Sequence, residues 1–284
     1  TSMLSVIEKA EDPESLGQFI PLHYHFPMLR DVLRLSGFKE AMEKTVPIGG
    51  RVLELGGGLG ILSFFAAQRA AKVWCVEKLP ELARTATRFL AENGCADRVT
   101  VIEGDARDFL PPAPVDVVVC EMLHVGMLRE HQIDVIGKFK ENYLKRFGGP
   151  LPVFIPEASL LAVQAVEQVY EFMGYRAPVP VFYEPTKEQA DTRGLADPCI
   201  YSVIDYGREL PSRFAWTGTA QITETGTLNA LRFVTKNLLS IVVPENRSID
   251  WHNQYLVIPI ARPIAVQTGE QVRISLDYDP GSSI

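Results

Sequence analysis

The chain has 284 residues, 46% of them apolar and 22% charged, with a mean hydropathy of +0.05. These values describe a globular chain with a sizeable core, enough for one large domain or two moderate ones. A net charge of −7 and a pI near 5.4 argue against a nucleic-acid partner. No apolar run reaches the roughly 18 residues of a membrane span, and no basic-then-apolar signal pattern opens the chain. The cysteines at 75, 95, 120 and 199 lack paired or metal-type spacing, which points to a reducing, cytoplasmic compartment, and the scattered histidines suggest no metal site.

Residues 13–46 carry helical spacing, with Pro27 suited to a first turn and Leu29, Val32, Leu33 and Leu35 forming an apolar face. Residues 1–46 therefore read as an N-terminal helical lid. From 47 to 152 strands and helices alternate, the pattern of a parallel, Rossmann-like sheet.

The first strand, Arg51–Leu55, runs into Gly56, Gly58 and Gly60 and then a helix from about Leu59. Glycines there let the backbone turn tightly beside a ligand, and the helix start points N–H groups at the same space. The dinucleotide fingerprint would place its third glycine at Ile61, so a nicotinamide or flavin pyrophosphate fits poorly and a nucleoside with a small charged tail fits better. Residues 72–76 form a second apolar run ending in Glu77, where such folds place the acid that accepts ribose hydroxyls. A helix then ends near Asn93-Gly94, and the third strand leads to Gly104-Asp105-Ala106, where Asp105 can accept from an adenine amino group.

The fourth strand, 115–120, ends in Glu121. A carboxylate following four apolar residues requires a partner, either an internal arginine or a cationic substrate. Glu130, nine positions on, is either a second substrate carboxylate or a residue favouring the N-terminus of the helix that runs to Phe147. From 153 to 284 the texture becomes Pro-rich turns and alternating strands at 159–163, 217–223, 231–234, 255–260 and 271–276, an antiparallel β domain. Residues 171–213 lack a clear period and read as an excursion, a candidate dimerisation arm.

The glycine turn in VLELGGGLG, the acid Glu77 and the Gly104-Asp105-Ala106 step resemble the class I S-adenosylmethionine-dependent methyltransferases. Within them the chain is similar to the protein arginine methyltransferases. His25 to Arg34 resembles their cofactor-covering helix, 60–67 the helix after their glycine turn, and Cys120-Glu121-Met122-Leu123 through Glu130 their two-glutamate loop. Phe154-Ile155-Pro156-Glu157 and Ile249-Asp250-Trp251 fall where that family begins its β-barrel and carries its second substrate loop. The chain departs from the family on the acceptor side. Met122-Leu123-His124 stands for tryptophan-methionine-glycine, Asp250 for the loop histidine, and Phe19 and His23 for N-terminal tyrosines.

The resemblance implies an α/β fold: a Rossmann-like methyltransferase sheet with an N-terminal helical lid and a C-terminal antiparallel β-barrel-like domain. It implies that S-adenosylmethionine is the cofactor, lined by His25 and Met28, with Arg34 on its carboxylate, Glu54 near its amino end, Gly56, Gly58 and Gly60 in the turn, Glu77 on the ribose and Asp105 and Ala106 at the adenine. Glu121 and Glu130 would hold the methyl acceptor, a guanidinium or other nitrogen on a protein or small molecule, and the family pattern allows a homodimer. Three alternatives stand beside it: the same fold acting on a non-arginine small molecule at oxygen, carbon or nitrogen, a nucleotide-dependent oxidoreductase, and a cofactor-binding module without catalysis.

Overall fold

The structure, a computed structural model, describes Leu22 and residues 25–284. Phe19, His23 and the first half of the expected lid lie outside the described residues.

Five strands form a wholly parallel sheet: β1 Arg51–Leu55, β2 Lys72–Glu77, β3 Val99–Glu103, β4 Val117–Cys120 and β5 Val153–Ile155, in the order β3-β2-β1-β4-β5. Val52 to Leu55, Val73 to Glu77 and all of β4 are buried, as expected of strands covered by helices on both faces. The chain fills one side of β1 with β2 and β3 and then crosses to β4 on the other side. This makes the β1/β4 junction a topological switch point, where a crevice opens beyond the carboxyl ends of the strands. Gly56 and Glu121 are the first residues past those two ends.

The connecting helices start where the local chemistry allows. The one expected from Leu59 begins at Ile61 because Gly60 adopts a left-handed φ of 81° and caps it. The next, Pro80–Glu92, has proline in its first turn, where no N–H is missed. The helix anticipated from Glu130 is Gln132–Phe147, with His131, at a non-helical φ of −101° and ψ of 30°, in the position before its first turn.

The remaining strands are β6 Ala158–Gln168, β7 Glu171–Phe172, β8 Tyr175–Arg176, β9 Val181–Tyr183, β10 Thr192–Gly194, β11 Cys199–Asp205, β12 Phe214–Gln221, β13 Gly226–Val242, β14 Arg247–His252, β15 Tyr255–Val266 and β16 Gln271–Tyr278. All pair antiparallel: β10-β6-β13-β15-β9 form a sheet, with β11 also on β6, β14 also on β13, and β12 with β16 apart. The stretch 171–213 is thus not a single excursion. β9 is bonded to β15, and β10 and β11 to β6, leaving the exposed β7–β8 hairpin to stand out. One buried cluster runs from Leu53 and Val118 through Phe139 to Leu161 and Tyr206, so both sheets share a core.

The expected apolar face of the lid is corrected. Val32 and Leu33 are 71% and 59% exposed, and the buried face is Arg34, Gly37, Phe38, Ala41 and Met42. His25–Arg30 is one helix, and Asp31 caps a second, Val32–Thr45, by accepting the Arg34 N–H at 2.9 Å; Leu29, Val32 and Leu33 line the crevice instead of packing into the core. The second helix packs on β13 and β14. A Cβ on Gly37 would lie 3.0 Å from Leu239, so the missing side chain sets that approach.

Candidate active site

A cavity of about 1450 Å³ lies at the switch point, walled by the two lid helices, the ends of β1, β2 and β4, and residues of the antiparallel part at 182–187 and 247–254. Pockets for one drug-sized ligand are about 300–1,000 Å³, so this space accommodates two ligands side by side. Acidic side chains outnumber basic ones along its walls.

The glycine turn forms one end. Gly56, Gly58 and Gly60 all have positive φ, and the amides of Gly56 and Gly57 donate to the Val76 carbonyl at 3.0 and 2.8 Å, tying the turn to β2. A Cβ on Gly58 would stand 3.4 Å from the His25 ring, so a side chain there would take the space over the turn. Glu77, at the end of β2, accepts from Gly58 N–H and Leu79 N–H, both at 2.8 Å, one on each carboxylate oxygen. Burial raises its carboxyl above the usual range, against the pull of those donors. Each oxygen keeps a lone pair for a hydroxyl.

Asp105 is less free than its position suggests. Arg107 grips it through Nε and Nη2 at 3.0 and 2.7 Å, and Lys78 stands at 3.2 Å. The Arg107 guanidinium holds its carboxyl well below the normal range. Its oxygens are largely engaged, and Ala106 follows it along the same wall.

At the bottom Glu54 is buried at the end of β1 and accepts from the Ser63 hydroxyl. Burial pushes its carboxyl up to about 7, opposed by Ser63, Cys75 and the nearby charge of Arg34. Arg34 binds Glu121. Its Nε donates to Glu121 Oε2 at 3.0 Å and its Nη2 to the same oxygen, with both side chains under 10% exposed. The partner that Glu121 required is therefore an internal arginine.

Glu130 lines the same cavity, and its carboxyl is lifted to about 8 by burial and then by the charge of Glu121, with Arg129 opposing. Glu121 lines the same cavity, and Glu130 precedes the helix rather than opening it. His124 meets Phe182 edge-on at 5.6 Å, and burial lowers its imidazole to about 4, leaving it neutral. The Met122 side chain lies over the turn: a Cβ on Gly56 would come within 3.0 Å of it. Asp250 pairs with Lys236 at 2.7 Å, and Trp251 packs its ring 6.2 Å from Phe38 while edging the cavity.

Residues 52–142 match the methyltransferase domain family. Over 135 residues the chain is 35% identical to an arginine N(omega)-methyltransferase of Streptomyces achromogenes, covering 45% of this chain and 37% of that one. An uncharacterised protein of Methanocaldococcus jannaschii is 24% identical over 263 residues, 92% of this chain and 93% of its own. In fold the chain is similar to the Trypanosoma brucei PRMT1 enzyme–prozyme heterotetrameric complex with AdoHcy, at a TM-score of 0.71 and 17% identity, over 88% of this chain and 85% of that one. The chain is a class I S-adenosylmethionine-dependent methyltransferase, arginine methyltransferase-like. It spans less than half the length of the Streptomyces relative.

In this methyltransferase every residue assigned to cofactor or acceptor from the sequence lines this cavity except Gly60, whose missing side chain serves packing instead: a Cβ there would be 2.9 Å from Leu90. Sequence reasoning missed Phe182 and Gln132. Phe182 reaches the site only through β9 pairing, which no local pattern encodes. Gln132 is 1% exposed, and a lone glutamine in an apolar helix face was the available signal. No helix among the described residues is long and apolar enough to cross a membrane.

Proposed function

We propose that this methyltransferase methylates a nitrogen carried by a cationic or protonatable acceptor, a guanidinium first, on a protein or a small molecule. The observation that carries this reading is the pair Glu121 and Glu130 facing one acidic cavity beside the glycine turn. Two carboxylates there can accept from both edges of a guanidinium, which orients it and favours its electron pair on one nitrogen. They also place negative charge where the acceptor gains positive charge. When bound, the cofactor supplies an electrophilic methyl on a sulfonium; the acceptor nitrogen forms the new bond, sulfur keeps the electron pair of the old one, and the acceptor loses a proton. The name of the Streptomyces relative agrees with an arginine acceptor.

In this reading residues 47–152 are the cofactor domain, 153–284 the substrate and dimerisation domain, and 1–46 the lid. Glu77 holds the ribose, Asp105 and Ala106 the adenine edge, Gly56, Gly58 and Gly60 the turn, His25 and Met28 the cover, and Arg34 and Glu54 the amino-acid end. Lys78 and Arg107 keep Asp105 ionised, which favours its role as an acceptor. His124 and Phe182 wall the acceptor side. The β7–β8 hairpin, with Phe172, Met173 and Tyr175 at least half exposed, is the surface for a homodimer in a cytoplasmic protein.

Incubation with methyl-labelled S-adenosylmethionine and a panel of arginine peptides, free arginine, small amines, phenols and thiols tests the acceptor. Label on nitrogen is the expected result. Transfer confined to oxygen, sulfur or carbon acceptors would overturn the two-carboxylate reading.

A further inference from the structure

Arg34 is buried, its side-chain hydrogen bonds go to Glu121, and its charge also reaches Glu54. Both contacts fall on a single Glu121 oxygen, while Arg34 lines the same cavity as the glycine turn and lies near enough to Glu54 for its charge to act there. The other cations of that cavity are otherwise disposed. Lys78 and Arg107 hold Asp105, and Arg247 holds Glu40 and Glu245. Arg30 covers the Phe26 ring from an exposed position, and Lys187 belongs to the loop after β9 on the antiparallel side. A ligand carboxylate entering beside the turn therefore finds Arg34 as its buried cation.

We propose that the cofactor's amino-acid carboxylate competes with Glu121 for Arg34, so that cofactor loading releases Glu121 and creates the negative acceptor site. The proposal rests on the cofactor assignment of Arg34 above. Before loading, Glu121 is neutralised by Arg34, and Glu130 holds its proton through most of the neutral range because burial and Glu121 lift its carboxyl to about 8. The acceptor chamber then offers a cation little net charge. Once Arg34 turns to the incoming carboxylate, Glu121 becomes a buried charge without a partner, a state that is costly until a cation arrives. A cationic acceptor relieves that cost. Cofactor and acceptor affinities are consequently coupled, each raising the other by the same factor. Asp31 caps the helix at the Arg34 amide, which fixes the backbone while the side chain exchanges partners.

The test needs no acceptor. S-adenosylhomocysteine, which carries the carboxylate, and 5′-methylthioadenosine, which lacks the amino-acid chain, are titrated by calorimetry into the full chain and its Glu121→Gln variant. Glu121→Gln should bind S-adenosylhomocysteine more tightly, by roughly tenfold, the ratio that 1.4 kcal/mol gives, and 5′-methylthioadenosine unchanged. Equal or weaker S-adenosylhomocysteine binding by a folded variant, or the same gain for both ligands, overturns the proposal. Crystal structures of the unmutated chain with each ligand serve if the variant does not fold: Arg34 should leave Glu121 with S-adenosylhomocysteine and stay on it with 5′-methylthioadenosine. Arg34 still on Glu121 with the ligand carboxylate held elsewhere overturns it too. A failed search for nitrogen acceptors would sink the acceptor assignment and leave these binding results as they are.

Discussion

The Gln132 side chain holds the backbone on both sides of Glu121: its Oε1 accepts from Met122 N–H and its Nε2 donates to the Cys120 carbonyl, each at 2.8 Å. The glutamate is thus fixed by a residue on the following helix rather than by its own strand alone. Gln132→Leu would strip the side-chain partner from both backbone groups, at a cost of about 1–3 kcal/mol for a buried group left unsatisfied. Urea denaturation should show that loss, and turnover should fall while S-adenosylhomocysteine affinity is nearly kept. Unchanged stability would mean that the tether contributes nothing.

Charge at Glu121 matters to the reaction more than its volume does. Glu121→Gln should lower kcat by roughly 100-fold, comparable to losing one preorganised electrostatic contact. Glu130→Gln should fall to a similar extent only for a guanidinium acceptor, since one carboxylate suffices for a simple amine. Production of S-adenosylhomocysteine measures both, and full activity of Glu121→Gln would leave a catalyst that works by proximity alone.

Acidity at Glu130 gives a pH signature. Its carboxyl is raised from 4.5 to about 8 in the folded chain. The folded state therefore binds more protons than the unfolded one between those values, so its contribution to stability is fully present below 4.5 and is lost as pH rises through about 8. Glu130→Gln should accordingly gain melting temperature over the unmodified chain as pH goes from 5 toward 8 or 9. For a cationic acceptor kcat/KM should rise through about 8 as the carboxylate forms in the free enzyme, and this limb should vanish in Glu130→Gln. A limb that persists in the variant belongs to another group.

Gly58→Val probes the turn. At a φ of 52° any side chain is strained, by about 1–3 kcal/mol, and its Cβ would crowd His25 at 3.4 Å. Calorimetry should detect no S-adenosylhomocysteine binding to a variant that circular dichroism shows to be folded. Retained affinity would move the cofactor site away from the turn.

Glu77→Ala removes an acceptor for the ribose and the anchor of the Gly58 and Leu79 amides. Cofactor affinity should weaken by about 1.5–3 kcal/mol, the range for hydrogen bonds to a charged group. Equal affinity in the variant would refute the ribose assignment.

The sequence by itself determined the parallel sheet, the glycine turn and the order in which Glu54, Glu77, Asp105 and Glu121 appear. Each of these is local: an apolar run of strand length, a polar residue at its carboxyl end, and glycines where φ turns positive. Two helix starts moved by two residues because backbone angles at Gly60 and His131 decide them, and spacing does not carry such angles. The lid face was misread because Leu29, Val32 and Leu33 line the cavity and not the core, a difference that spacing does not carry. Tertiary structure alone decided what each charge does. Arg34 and Glu121 are 87 residues apart, Gln132 reaches back across a loop, and Phe182 arrives through strand pairing in the other sheet. Partner choice among buried charges follows from distance and desolvation in the folded chain, and neither quantity exists until the two sheets have closed on a common core.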